Sequence, residues 1–104
     1  MFNMLESLSA ADFDPHVGTA FVTGPRHEPI VLELVSVTPL PEPPARPGRL
    51  LRPRPFSLIF RAQTADHLPQ GTFALVHDRF GTLDVFLVPV GREPDGLLLE
   101  AVFA

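Results

Sequence analysis

Residues 71–91, GTFALVHDRFGTLDVFLVPVG, decide the fold. Phe73 and Leu75 alternate with Thr72, Ala74 and Val76, and the run His77-Asp78-Arg79-Phe80-Gly81 breaks the pattern. Beyond it, Leu83, Val85 and Leu87 share one face, while Asp84, Phe86, Val88 and Val90 share the other. Period-two alternation of β-branched and aromatic residues marks strands, and Asp and Gly between two such runs mark a tight turn. The second strand is apolar on nearly both faces. It is therefore expected to be covered twice, inside a barrel or sandwich or against another chain. Pro89 has no N–H to give to a ladder, so the strand is expected to bulge, end or reach an edge there.

The pattern extends in both directions. Residues 97–103, LLLEAVF, read as a last strand that pairs back on 83–90 after a turn at 92–96. Upstream, residues 55–62 alternate Phe56, Leu58 and Phe60 with Ser57, Ile59 and Arg61. In residues 30–38, Ile30, Leu32 and Leu34 point one way and Val31, Glu33, Val35 and Val37 the other. Residues 18–23 form a short strand closed by Gly24-Pro25, and pair with 30–38 as a hairpin. Turns recurring about every 8–12 residues are the spacing of an all-β domain. Partners close in sequence make the pairing antiparallel. The fold class expected is all-β: a small antiparallel six-stranded barrel or sandwich with one short N-terminal helix.

That helix is signalled by Ser9-Ala10-Ala11-Asp12, a capping box with an acid three residues after the Ser. It can run only a few residues before Pro15 and Gly18. It is expected to carry Phe13 and Val17 and to lie across an open end of the sheet. The alternative is a partner-binding arm.

The chain has 104 residues, enough for one domain, here 1–104 with an N-terminal arm and helix at 1–17. An apolar fraction of 45% supports a core despite 13 prolines. Six of those prolines and four arginines fall in residues 39–54. Connections in compact domains usually run about 4–6 residues, so this stretch is expected to be a surface excursion with polyproline character. A net charge of −4 argues against nucleic acid or an anionic membrane as partner. There is no cysteine, hence no disulfide framework. Glu6 and Asp12 come too early for a signal peptide, and no stretch nears the roughly 20 apolar residues of a membrane span. The expectation is a cytoplasmic protein, or a component of an assembled extracellular fibre.

Several pieces taken together carry a resemblance. They are Leu5-Glu6-Ser7-Leu8 with Ala11-Asp12-Phe13, Leu32-Glu33-Leu34 with Val37-Thr38-Pro39-Leu40, and Pro55-Phe56-Ser57-Leu58 with Phe60-Arg61. Downstream are Leu68-Pro69-Gln70-Gly71-Thr72-Phe73, Phe86-Leu87-Val88-Pro89-Val90-Gly91 and Glu100-Ala101-Val102-Phe103. The chain resembles a bacterial family of short all-β domains of unknown function, often encoded near tail-collar-type, phage-fibre-like proteins. The resemblance implies an accessory of a tail-like or surface structure, by association and not by mechanism.

Catalytic patterns are not apparent. None of Ser7, Ser9, Ser36 and Ser57 lies in a nucleophile elbow, and no phosphate loop or dinucleotide fingerprint is present. No enzyme activity and no cofactor are expected. Asp66-His67 and His77-Asp78 suggest metal ligands, but roughly 33 Å of extended chain separates the two histidines. With His16 and His27 they read as solvated turn residues, and no metal is expected. Glu33, Arg61 and Asp84 interrupt strand faces, as cross-strand ion pairs would.

Two candidate partner-binding features remain. Arg46, Arg49, Arg52 and Arg54 form a local basic patch whose guanidinium forks suit carboxylates. Phe86, Val88 and Val90, with Leu98 and Val102 on the next strand, form a second apolar face. The helix and the proline stretch would cover it within one chain; otherwise it marks an interface. The function expected is a non-catalytic protein-interaction or assembly-accessory module, acting on a protein partner or by self-association. The alternative is a small-molecule-binding β-barrel. An interior filled with Leu and Phe side chains speaks for the first, an open apolar cavity for the second.

Overall fold

Six strands close into an antiparallel barrel: β1 (Ala20–Thr23), β2 (Ile30–Pro39), β3 (Phe56–Ala62), β4 (Gly71–His77), β5 (Gly81–Glu93) and β6 (Gly96–Phe103). Around the barrel the order is β1-β2-β3-β6-β5-β4. The computed structural model describes residues 7–24, 28–41, 54–63 and 67–103. Closure removes the unpaired edges that an open sheet would expose. The seam is between β1 and β4, where Val22 lies opposite Val76. Among the described residues no helix is long and apolar enough to cross a membrane.

The hairpin read from residues 71–91 forms as expected, with Gly71 opposite Leu87 and His77 opposite Gly81. Gly81 closes the turn at φ 72°, a left-handed conformation that glycine adopts without strain. Pro89 produces the first of the three outcomes anticipated for it. The register with β6 shifts between Pro89 and Gly91, so Val90 is the bulged residue. Past the bulge the strand resumes pairing, and β5 runs on to Glu93.

A second bulge corrects the reading of β2. Its register against β3 shifts between Leu34 and Ser36. The extra residue reverses the alternation, so Val37 packs against the core instead of sharing the outer face of Val31 and Glu33. The proline excursion is also shorter than residues 39–54. Pro39 pairs with Phe56, and the Leu40 N–H donates to the Pro55 carbonyl at 2.9 Å.

The barrel interior is filled by inward-facing residues of all six strands, among them Phe21, Leu32, Leu34, Phe60, Leu75, Leu87 and Leu99, each 0% exposed. Phe21 and Phe60 meet edge to face at 5.3 Å. One end of the barrel is closed by α1 (Ala10–Phe13) and the 3₁₀ turn that follows at Asp14–His16. The capping box is made: the Ser9 N–H donates to Asp12 Oδ2 at 2.7 Å. Phe13 is fully buried and stacks on Phe80 at 4.6 Å, with Phe56 and Phe103 at 5.8 and 5.7 Å. Val17 does not join it. It is 45% exposed, because the turn at Val17 and Gly18 faces outward on the way into β1.

Candidate functional site

Alternation along β5 places Leu83, Val85 and Leu87 in the core and leaves Asp84 and Phe86 outside. Phe86 is 53% exposed and Val90 51%, while Val88 is half-buried. On β6, Leu97, Leu99, Ala101 and Phe103 point inward, and Val102 is 56% exposed. Val88 pairs with Glu100. Phe86 precedes Val88 by two residues and Val102 follows Glu100 by two, so both lie just past this end of the ladder. The outer wall of β5 and β6 thus exposes Phe86 and Val102 at the end of their ladder and Val90 at the bulge. The helix expected to help cover this face instead spends Phe13 on the barrel end. Of the four arginines, Arg54 is exposed just before β3, and Arg46, Arg49 and Arg52 lie outside the described residues.

The charged interruptions resolve into one cluster and one separate residue. Glu33 and Arg61 are direct cross-strand partners, and Arg61 Nη1 lies 3.2 Å from Glu33 Oε1. Glu93 and Asp95 approach the same guanidinium at 3.2 and 3.7 Å. Asp84 takes no part, since its register partner is Ala74 on β4.

The histidine reading needs correction. His67 is exposed, as a turn residue would be, and His27 lies outside the described residues. His77 is only 6% exposed and His16 is half-buried. Closure of the barrel brings His16, at the end of the 3₁₀ turn, to 5.1 Å from the His77 ring, edge-on. Phe21 and Phe80 lie against the same ring at 4.2 and 5.2 Å. The hydrogen bonds set its tautomer. The Arg79 N–H donates to His77 Nδ1 at 3.0 Å. In the neutral ring Nε2 then carries the proton and donates to Thr19 Oγ1 at 2.9 Å, and the Thr19 hydroxyl donates to the His16 carbonyl at 2.6 Å. Both nitrogens of the His77 ring are engaged, so this ring ties the segment after the helix to the β4–β5 turn and has no free nitrogen lone pair for a metal. Among the described residues no three His, Cys, Asp or Glu side chains group as metal ligands. Sequence spacing could not show this cluster, because 58 residues separate Thr19 from His77.

Protonating His77 would set a second N–H against the Arg79 N–H. Burial holds its pKa below the ordinary 6.5, the charge of a protonated His16 and Arg79 add to that, and Asp78 opposes it. The unfolded chain therefore takes up this proton first as pH falls. Stability that His77 contributes in full above about pH 6.5 is lost as pH falls through its lower folded-state value. Melting temperatures measured from pH 7.5 to pH 5 are expected to fall more steeply for the wild type than for His77→Gln. Parallel pH profiles would show that the ring is not held neutral.

Residues 8–103 match a family described as Domain of unknown function (DUF6916). The chain belongs to this family. The matched span takes in the helix and all six strands of the DUF6916 fold. No curated protein and no solved structure matches the chain.

Proposed function

We propose that this DUF6916 domain is a non-catalytic protein-interaction module that accompanies a larger assembly of the phage-tail or surface-fibre kind. The observation that carries the reading is the apolar outer wall of β5 and β6, where Phe86, Val90 and Val102 are each more than half exposed. Large apolar side chains gathered on one wall of a folded domain are what protein interfaces use. The packing of the barrel axis with Phe and Leu side chains supports this reading over an interior ligand site. The assembly context is supported by the resemblance to bacterial domains encoded beside tail-collar-type proteins. The basic run from Arg46 to Arg54 supplies a second contact, to an acidic surface of the same partner.

The test is affinity capture from the source cells with wild type and with Phe86→Ser/Val90→Ser. Both positions are exposed, so each substitution is expected to change stability by no more than about 0.5 kcal/mol. A specific partner, or a second copy of the chain, is expected on the wild type and lost from the variant. Equal capture by both proteins would remove this face from the proposal.

A further inference from the structure

A second exposed strip lies on the opposite wall of the barrel. Val22 is in register with Val31 on β2 and with Val76 on β4. Phe21, Leu32 and Leu75, the residues beside them in sequence, are in the core, so this valine row faces outward. Val31 is 43% exposed and Val76 52%. At its β2 end the row runs into a groove of about 360 Å³. Gly18, Ala20 and Val31 form the groove's apolar part, and Glu33, Arg61 and Gln63 its polar end.

The polar end is not suited to an anion. Arg61 donates from Nη1 to Glu33, and from Nε and Nη2 to Glu93, while Asp95 stands 3.7 Å from Nε. Every nitrogen of the guanidinium already faces a carboxylate, and three carboxylates surround one positive charge. The surplus is negative: Glu33 lines the groove at the end of the aliphatic strip, and Glu93 and Asp95 approach the same guanidinium from outside the lining.

We propose that this groove docks an extended segment of a protein partner carrying an aliphatic side chain two residues from an arginine or lysine. In an extended chain such a pair projects from one face. The aliphatic group would lie on the valine row, and the cation would meet Glu33 and its neighbouring carboxylates. In the barrel order β1 and β2 stand across from β6 and β5, so the centre of this surface, at Val22 and Val31, lies away from Phe86. A domain with both faces occupied bridges two partners.

The test is an NMR titration of the full chain, with labelled valine methyl groups, using a blocked Leu-Ser-Arg peptide and its Leu-Ser-Glu counterpart. The Arg peptide is expected to shift Val22, Val31 and Val76, and the Glu peptide to leave them unmoved. Glu33→Gln, which keeps a hydrogen-bond acceptor beside Arg61, is expected to weaken binding roughly tenfold. Phe86→Ser is expected to bind as the wild type does. Absent shifts, equal response to both peptides, or shifts centred on Val88 and Val90 would overturn the proposal.

Discussion

Phe13→Ala is expected to cost about 3–5 kcal/mol, the range for removing a buried phenylalanine from a packed core. The size follows from what the ring does. A helix of four residues has no stability of its own and persists only through packing. Phe13 is its one buried residue, and it lies among Phe56, Phe80 and Phe103. Without the ring, that end of the barrel opens to water and the stacking of Phe80 is lost. For a domain of this length the melting temperature should fall on the order of 10–20 °C. Val17→Ala, four residues on but exposed, should change stability by about 0.5 kcal/mol or less. Thermal unfolding of the two variants measures both. Similar melting temperatures would mean that the helix does not plug the barrel.

Gly96→Ala is expected to destabilise by about 2–4 kcal/mol, through overpacking and backbone strain together. Gly96 is buried at the start of β6 and has φ 156°. A Cβ there would stand 2.8 Å from the Ala62 carbonyl oxygen and 2.8 Å from Arg61 Cγ. The carbonyl belongs to β3, which is paired on both sides, so it cannot retreat without disturbing two ladders. The same insertion also presses on the aliphatic stem of Arg61, whose guanidinium Glu33, Glu93 and Asp95 surround. Gly71→Ala is the control: nothing lies within 4 Å of its added Cβ, and a change of no more than about 0.5 kcal/mol is expected. Urea midpoints separate the two cases. A Gly96→Ala protein as stable as the wild type would show that β6 meets β3 less closely than the structure has it.

Much of this fold was legible in the chain because its strands repeat one local rule. Leu83, Val85 and Leu87 alternate with Asp84 and Phe86, and the barrel buries the first three. Pro89 announced a break in the ladder, and the bulge at Val90 supplies it. The bulge at Val35 had no such signal. No proline or glycine marks it, so the inward turn of Val37 emerged only from the pairing with β3. Barrel and sandwich could not be separated either, since that choice rests on the single meeting of Val22 with Val76 across more than fifty residues. The burial of His16 and His77 follows from the same closure. Their sequence neighbours, Pro15 and Asp78, are ordinary turn residues and led to the reading of solvated side chains. Glu33 and Arg61 were recognised as interrupting charges, but the number of acids around Arg61 depended on the turn after β5.

The candidate interface was visible as surplus. Phe86, Val88 and Val90 were more apolar than a solvent face requires, and the structure leaves Phe86 and Val90 largely exposed. The helix expected to help cover them has its one buried side chain, Phe13, against the barrel end. An exposed phenylalanine on a strand held in register, Phe86 opposite Thr72 on β4, is pre-organised for contact, because its backbone has little freedom left to lose.

Site-directed photocrosslinking tests that claim most directly. A photoreactive phenylalanine analogue is placed at position 86, and in a second protein at position 84, where the exposed Asp84 lies two residues away on the same strand face. Irradiation in the source cells is predicted to give a discrete adduct, with one partner protein or with a second copy, from position 86 and far less from position 84. No adduct from position 86, or the same products in the same amounts from both positions, would contradict an interface on the outer wall of β5 and β6.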